Sequence, residues 1–334
     1  MNPPRSESGR FDSAEEATVV VIGGANIDHK SQTLTRPEFG TSNPGRSRTS
    51  AGGVGRNVAE NLARLGVRTV LVSAIGNDAA GVSLRRETES AGVDLAHSVA
   101  AAGATGSYTA ILDASGEMVI AVSAMETMDE LTPDVIDGRR DIIRRAGILV
   151  LDCNVPQGAL LRAGAIARDE GTRVIVDPVS VAKATRITAM LAAGLPIHTI
   201  TPNRDELIAL VGTAQSGDDD LSTCVAPLHN AGVENVWVRL GPRGSFLSMM
   251  RRGTQQSSQL APFPATLVDA TGAGDAMLAG YAAGLVRGFD VAAAADYGRA
   301  AAAVTVESPD TVSGSMNFPS LRERVAEHTR HETG

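Results

Sequence analysis

Apolar residues in this chain come mostly as short unbroken runs, each ending in glycine or a polar residue. Thr18-Val19-Val20-Val21-Ile22-Gly23-Gly24 is the first, and a continuous β-branched run predicts a strand buried on both faces. Val70 to Ala74, Ile148 to Leu151, Val174 to Val176, Ile197 to Thr201 and Val236 to Leu240 repeat it. Between them the period becomes helical: Val58, Leu62 and Leu65 share a face ahead of Gly66, and another helix is expected over roughly 80–91. Such alternation predicts an α/β protein. Two segments interrupt it. Residues 29–50 are polar and punctuated by Pro37 and Pro44, and read as extended structure outside the main sheet. Residues 105–123 read as a hairpin, Ser107 to Leu112 and Glu117 to Ser123 about an Asp113–Gly116 turn. Together they predict a small separate sheet, a lid being its obvious use and an edge of the main sheet the alternative. Residues 254–259 read as a polar loop and residues 1–17 as a mobile, disordered tail.

Composition narrows the class. Aromatics are only 3% of the 334 residues, so the core must be built from Ala, Val, Leu and Ile. A net charge of -8 argues against nucleic acid as the main partner. No window is long and apolar enough to span a bilayer, and the polar N-terminus lacks the apolar core of a signal peptide. A cytoplasmic protein is the expectation. Lys30 and Lys183 are the only lysines. Cys153 and Cys224 lie far apart without metal-type spacing, and free thiols are a simpler reading than a disulfide.

The chemistry gathers where predicted strands end. Asp28, Asn154, Asp177, Asn203, Gly241 and Asp275 all follow such ends, where open parallel sheets bind ligands. Val268-Asp269-Ala270-Thr271-Gly272-Ala273-Gly274-Asp275 hands a strand over to the apolar run Ala276 to Val286. Unpaired N–H groups at a helix start, and its dipole, favour an anion. Asp275 beside that anion makes sense as a base taking a proton from an attacking hydroxyl. It also fits an ordinary acidic first-turn residue. A dinucleotide fingerprint after the first strand and a Walker A loop are both absent. Asn203-x-x-Glu206 suits Mg²⁺ through water, and equally a capping box. Arg239 and Arg243 are the arginines placed to help bind an anion.

Gly52-Gly53-x-Gly55-x-Asn57 and Asp269-x-Thr271-Gly272-x-Gly274-Asp275, in this order and separation, resemble the ribokinase (PfkB) family of carbohydrate kinases. The resemblance covers about residues 18–325, leaving 326–334 as a C-terminal tail. It implies a three-layer α/β/α sandwich with a β-sheet lid, ATP and Mg²⁺ as cofactors, and a homodimer formed through the lid. By position, Asp275 is the base, and Gly272, Ala273 and Gly274 form the anion hole. Asn26, Asp28, Gly52, Gly53, Gly55 and Asn57 hold the acceptor. Asn203, Arg239, Gly241, Gly244, Thr271 and Gly274 face the nucleotide, Asn203 and Glu206 organise Mg²⁺ through water, and Asp269 is a K⁺ ligand. The facing loop, 308–313, departs from the family pattern. Within the family, Gly23 to Asp28, Ser42-Asn43-Pro44-Gly45, Gly116-Glu117-Met118, Asp152-Cys153-Asn154 and Asp177 to Ser180 with Lys183 resemble the pseudouridine kinases. That branch implies phosphorylation of a nucleoside 5′-hydroxyl. Arg56, Lys183, Ser107 and Tyr108 are then candidate base contacts, with surface salt bridges or a lid-strand face as the alternative for each. Kinases for ribose, other nucleosides or related sugars are the nearest rivals, and a catalytically weak nucleotide sensor the rival of another class.

Overall fold

The computed structural model describes residues 18–212 and 220–332. The tail expected over 1–17 lies outside these. The apolar runs form an eight-stranded sheet. From one edge its order is β14 (Thr254–Leu260), β13 (Ser245–Arg251), β12 (Val233–Arg239), β11 (Ile197–Ile200), β10 (Arg173–Asp177), β9 (Ala146–Asp152), β1 (Thr18–Ile22) and β4 (Arg68–Val72). The six strands from β12 to β4 run parallel, while β13 and β14 pair antiparallel at the edge. The polar loop expected at 254–259 is therefore a strand. Its alternation is invisible because Thr-Gln-Gln-Ser-Ser-Gln has no apolar face; backbone pairing along β13 supplies the structure instead.

Helices cover both faces, giving three layers and two cores. One core packs Leu62, Leu71, Trp237, Tyr281 and Ala300 under the helices Val54–Arg64, Ala273–Val286 and Val291–Val306. The other packs Ile22, Leu149, Leu160, Val176 and Ile187 under Gln157–Glu170 and Val181–Ala192. The Ala273–Val286 helix is buried nearly all round, from Ala276 to Leu285. Small residues let its neighbour come close: a Cβ on Gly280 would stand 2.5 Å from the Tyr297 carbonyl oxygen. The C-terminal helix, Phe318–Glu332, continues through residues expected to be tail, so the folded chain reaches past 325.

A second, four-stranded sheet stands apart, in the order β3 (Gly45–Gly52), β2 (Asn26–Thr33), β7 (Ser107–Leu112) and β8 (Met118–Ala124). It joins exactly the two segments that broke the α/β alternation. A two-stranded parallel ribbon of β5 (Ala74–Gly76) and β6 (Val99–Ala101) forms a third sheet. Across the small sheet Asp28 pairs with Ser50 and Tyr108, and Lys30 with Arg48 and Ala110, so these share one face. Thr109, Ile111, Ile120 and Val122 share the other.

Candidate active site

The predicted acceptor side is built where β1 meets the Val54–Arg64 helix. Neither has a side chain at the contact: a Cβ on Gly55 would lie 2.6 Å from the Gly23 Cα. Gly53 adopts φ +97°, which L side chains avoid, and a Cβ there would strike the Gly24 carbonyl oxygen. A Cβ on Gly52 would overlap the Asp28 carboxylate. These glycines let Asn26, Asp28 and Asn57 converge. Asn26 donates to Asp28 at 2.7 Å, and burial lifts the Asp28 carboxyl above its ordinary value. Across the crevice Lys183 donates to Asn154, whose amide packs against Gly24; burial lowers the lysine's affinity for its proton.

The anion side predicted from the sequence is the start of the Ala273–Val286 helix. Gly272 is its N-cap at φ +81°, and no side chain caps it. A Cβ there would collide with the Thr311 carbonyl oxygen, so the left-handed turn and the close approach both require glycine. Asp275 sits in the first turn. Asn57 Nδ2 donates to its Oδ2 at 2.8 Å, tying acceptor pocket to anion helix. Burial is the main reason its carboxyl is raised to about 7; the Asn57 bond opposes this and the Asp177 charge adds to it. Desolvation and a like charge are the usual means of tuning a carboxylate toward neutral pH.

Beneath the helix, Arg239 bridges two carboxylates, Asp177 at 3.0 Å and Glu206 at 3.1 Å. Its guanidinium would touch a Cβ on Gly274, so the helix start rests on it. Arg239 is thus committed to internal pairs and holds the floor; it is not the free phosphate ligand expected. Asn203 and Glu206 form a complete capping box, and Glu206 also accepts from Arg239. The capping reading holds, and it is compatible with metal binding, since a water-mediated Mg²⁺ needs only nearby acidic and amide oxygens. No three His, Cys, Asp or Glu side chains among the described residues converge as a direct metal-ligand set. Gly241 begins a short turn after β12 and Gly244 ends it at φ +82°, pressed on Leu260.

Three further expectations change. Arg56 turns inward: its side chain is 6% exposed, paired with Glu60 and bonded to Thr88 and Asn57. It orients Asn57 and cannot also reach a ligand. Ser107 pairs with Ile27 and so lies on the opposite face from Asp28; of the two lid candidates only Tyr108 shares that face. Asp269 accepts from the Thr271 backbone and hydroxyl at 2.8 and 2.7 Å, and Lys30 Nζ stands 3.6 Å from its other oxygen. A tethered positive charge already matches this carboxylate, which does not fit a K⁺ ion held there. Although burial pushes its carboxyl upward, the Thr271 bonds and Lys30 hold it below the usual range.

Two polar residues at the floor, Asp152 and Asp177, were named in motifs but given no role of their own. Asp152 accepts from Gly24 N and Asn154 N at 2.8 Å and fixes both loops. Asp177 accepts from Val179 N and Thr201 and holds Val179 at φ +68°. Their position at strand C-termini was the available signal. Lys30 had a weaker one, the scarcity of lysine.

A crevice at the C-terminal edge of a parallel sheet, with an uncapped helix start facing a pocket of buried polar side chains, has the layout expected of a small-molecule kinase. The model of the pfkB family carbohydrate kinases matches residues 16–317, and the chain belongs to that family. It is 36% identical over 279 residues to the pseudouridine kinase of Escherichia coli, covering 83% of this chain and 87% of the relative. An uncharacterized sugar kinase of the same organism, YeiI, is 37% identical over 322 residues, covering 96% and 85%. Among solved structures, Arabidopsis thaliana ribokinase complexed with ribose and ATP superposes with a TM-score of 0.80 at 28% identity, covering 92% of this chain and 98% of that one. The protein is a ribokinase-like sugar or nucleoside kinase using ATP. Among the described residues no helix is long and apolar enough to cross a membrane.

Proposed function

We propose that the protein transfers the γ-phosphoryl group of ATP to the 5′-hydroxyl of pseudouridine, giving pseudouridine 5′-phosphate and ADP. The observation that carries the mechanism is the 2.8 Å bond from Asn57 to Asp275, which sets a carboxylate poised near neutral pH between acceptor and anion sites. Asp275 takes the hydroxyl proton as the oxygen attacks phosphorus. The new O–P bond forms while the bond to the bridging oxygen breaks, and its electron pair leaves on ADP. N–H groups at Gly272 and Gly274 face the charge that spreads over the transferring oxygens, while that of Ala273, also expected in the anion hole, donates to the Ala270 carbonyl at 3.3 Å. Mg²⁺, held through water near Asn203 and Glu206, would neutralise the nucleotide's phosphates.

Likeness to the Escherichia coli pseudouridine kinase supports the substrate, as does the uncharged Val54 between the acceptor glycines Gly53 and Gly55. Asn26, Asp28 and Asn57 suit ribose hydroxyls, and Asn154, Lys183 and Tyr108 suit the base. The small sheet acts as a lid excluding water, which protects ATP from wasteful hydrolysis. Its outer face exposes Ile120 and Val122 at 58% and 60% on the unpaired edge strand β8, and supports a homodimer through the lid. Ribose remains the second reading, because the Arabidopsis thaliana ribokinase complexed with ribose and ATP shares 28% identity over most of this chain.

The test is ATP consumption with Mg²⁺ against pseudouridine, uridine, adenosine, ribose and fructose 6-phosphate. Pseudouridine should lead, with uridine poor. Turnover led by ribose or another nucleoside would discard the substrate and keep the kinase.

A further inference from the structure

The mouth of the anion helix has a charged neighbour that the mechanism above leaves unused. Lys30 projects from β2, two residues along the same face from Asp28, and its Nζ donates to Thr271 Oγ1 at 2.8 Å. Thr271 immediately precedes the N-cap Gly272. The side chain is 33% exposed, so a ligand can reach it. An ammonium carries three donors, and Thr271 takes one. Lys30 is also not a stray surface contact. Arg48, opposite it on β3, donates to the Pro309 carbonyl at 2.9 Å and pairs with Asp310. The small sheet is thereby docked on both loops that frame the helix start.

Local charge explains why a cation belongs there. Asp152 and Asp177 act on Asp275, Glu206 lies with Asp177 at the floor and Asp269 in the turn above, and the cation of the floor, Arg239, is already spent on two carboxylates. A helix start offers only about half a positive charge. An arriving γ-phosphoryl group would add negative charge to a region already rich in it. Among the described residues, Lys30 is the side-chain cation hydrogen-bonded to the turn that begins the helix. A lysine is a compact point charge with rotatable donors, suited to follow a moving phosphoryl group.

We propose that Lys30 is a phosphate-contacting residue: a cation carried by the small sheet, tethered by Asp269 and Thr271, that faces the transferring phosphoryl group and stands in place of a free monovalent cation. It takes no part in the proton transfer, and the bonds made and broken are those given above. The proposal rests on the kinase reading but not on the identity of the acceptor.

The test compares wild type, Lys30→Met and Lys30→Arg by calorimetric titration with MgATP and MgADP, after thermal melts show the variants folded. Lys30→Met should bind ATP at least about tenfold more weakly while ADP changes less than about twofold, and Lys30→Arg should keep most of the preference for ATP. On whichever acceptor the wild type uses best, Lys30→Met should lose about 10- to 100-fold in kcat and regain part of it in ammonium or methylammonium chloride. Wild-type turnover should be alike in Na⁺ and K⁺. Equal weakening of ATP and ADP, no weakening of either, or a wild type that stops when Na⁺ replaces K⁺ would each overturn the proposal. A wild type that turns over no acceptor sinks the kinase reading separately, and the two nucleotide titrations still decide the Lys30 contact.

Discussion

As the proposed base, Asp275 carries two obligations that pull in opposite directions. Its carboxyl, raised to about 7 chiefly by burial, must be ionised to accept a proton, so kcat/KM should rise with pH through about 7 and level off above it. Asp275→Asn should lower kcat by about 10²- to 10⁴-fold with ATP affinity retained in a direct titration. The same shift has a cost in stability. A folded-state value above the unfolded one favours the protonated protein, so this contribution is complete below about pH 4 and is lost as pH rises through about 7. Asp275→Asn should therefore melt above the wild type at pH 8, with the gap closing toward pH 4. Arg239 is the counterpart. Arg239→Met leaves Asp177 and Glu206 buried without their shared cation, and breaking such a set costs about 3–5 kcal/mol, read as a fall in denaturant midpoint. Neither arginine role was legible in the sequence. A guanidinium at a strand end or a helix start looks alike whether it meets a ligand or an interior carboxylate, and only the positions of Glu60 and Glu206 decide it.

At the scale of elements, the β-branched runs and glycine stops made the parallel strands and main helices readable, because burial on both faces leaves a one-dimensional trace. The loops were readable as chemistry for a related reason: glycines at Gly53 and Gly272 occupy backbone shapes other residues avoid. Edge strands left less trace. β14 is polar throughout, and nothing local distinguishes it from a loop. The small sheet could be anticipated but not its facing, since Ser107 and Tyr108 differ only in which side of a register they fall. Close helix packing was equally silent. Gly280→Ala places a methyl 2.5 Å from the Tyr297 carbonyl oxygen; this overpacking should cost about 1–3 kcal/mol, measured by chemical denaturation, without altering nucleotide affinity.

For the whole molecule, the small sheet has two audiences. Its inner face meets the crevice through Asp28, Lys30 and Tyr108, and its outer face shows Ile120 and Val122 to solvent. Sedimentation should find the wild type at twice its 34.5 kDa chain mass, and the double variant Ile120→Asp, Val122→Asp at the single mass. The arrangement of the anion helix bears on how the chain becomes active at all. Ala273–Val286 and Val291–Val306 are neighbours in sequence, joined by four residues, and pack on each other through Gly280, Gly284 and Gly298. The lid, by contrast, must bring residues 26–33 beside 107–112. Contacts close in sequence form sooner than distant ones. In pulse-labelled hydrogen exchange during refolding, amides of the helical pair should be protected before those of β2 and β7, so that the cradle for the phosphate exists before anything can close over it.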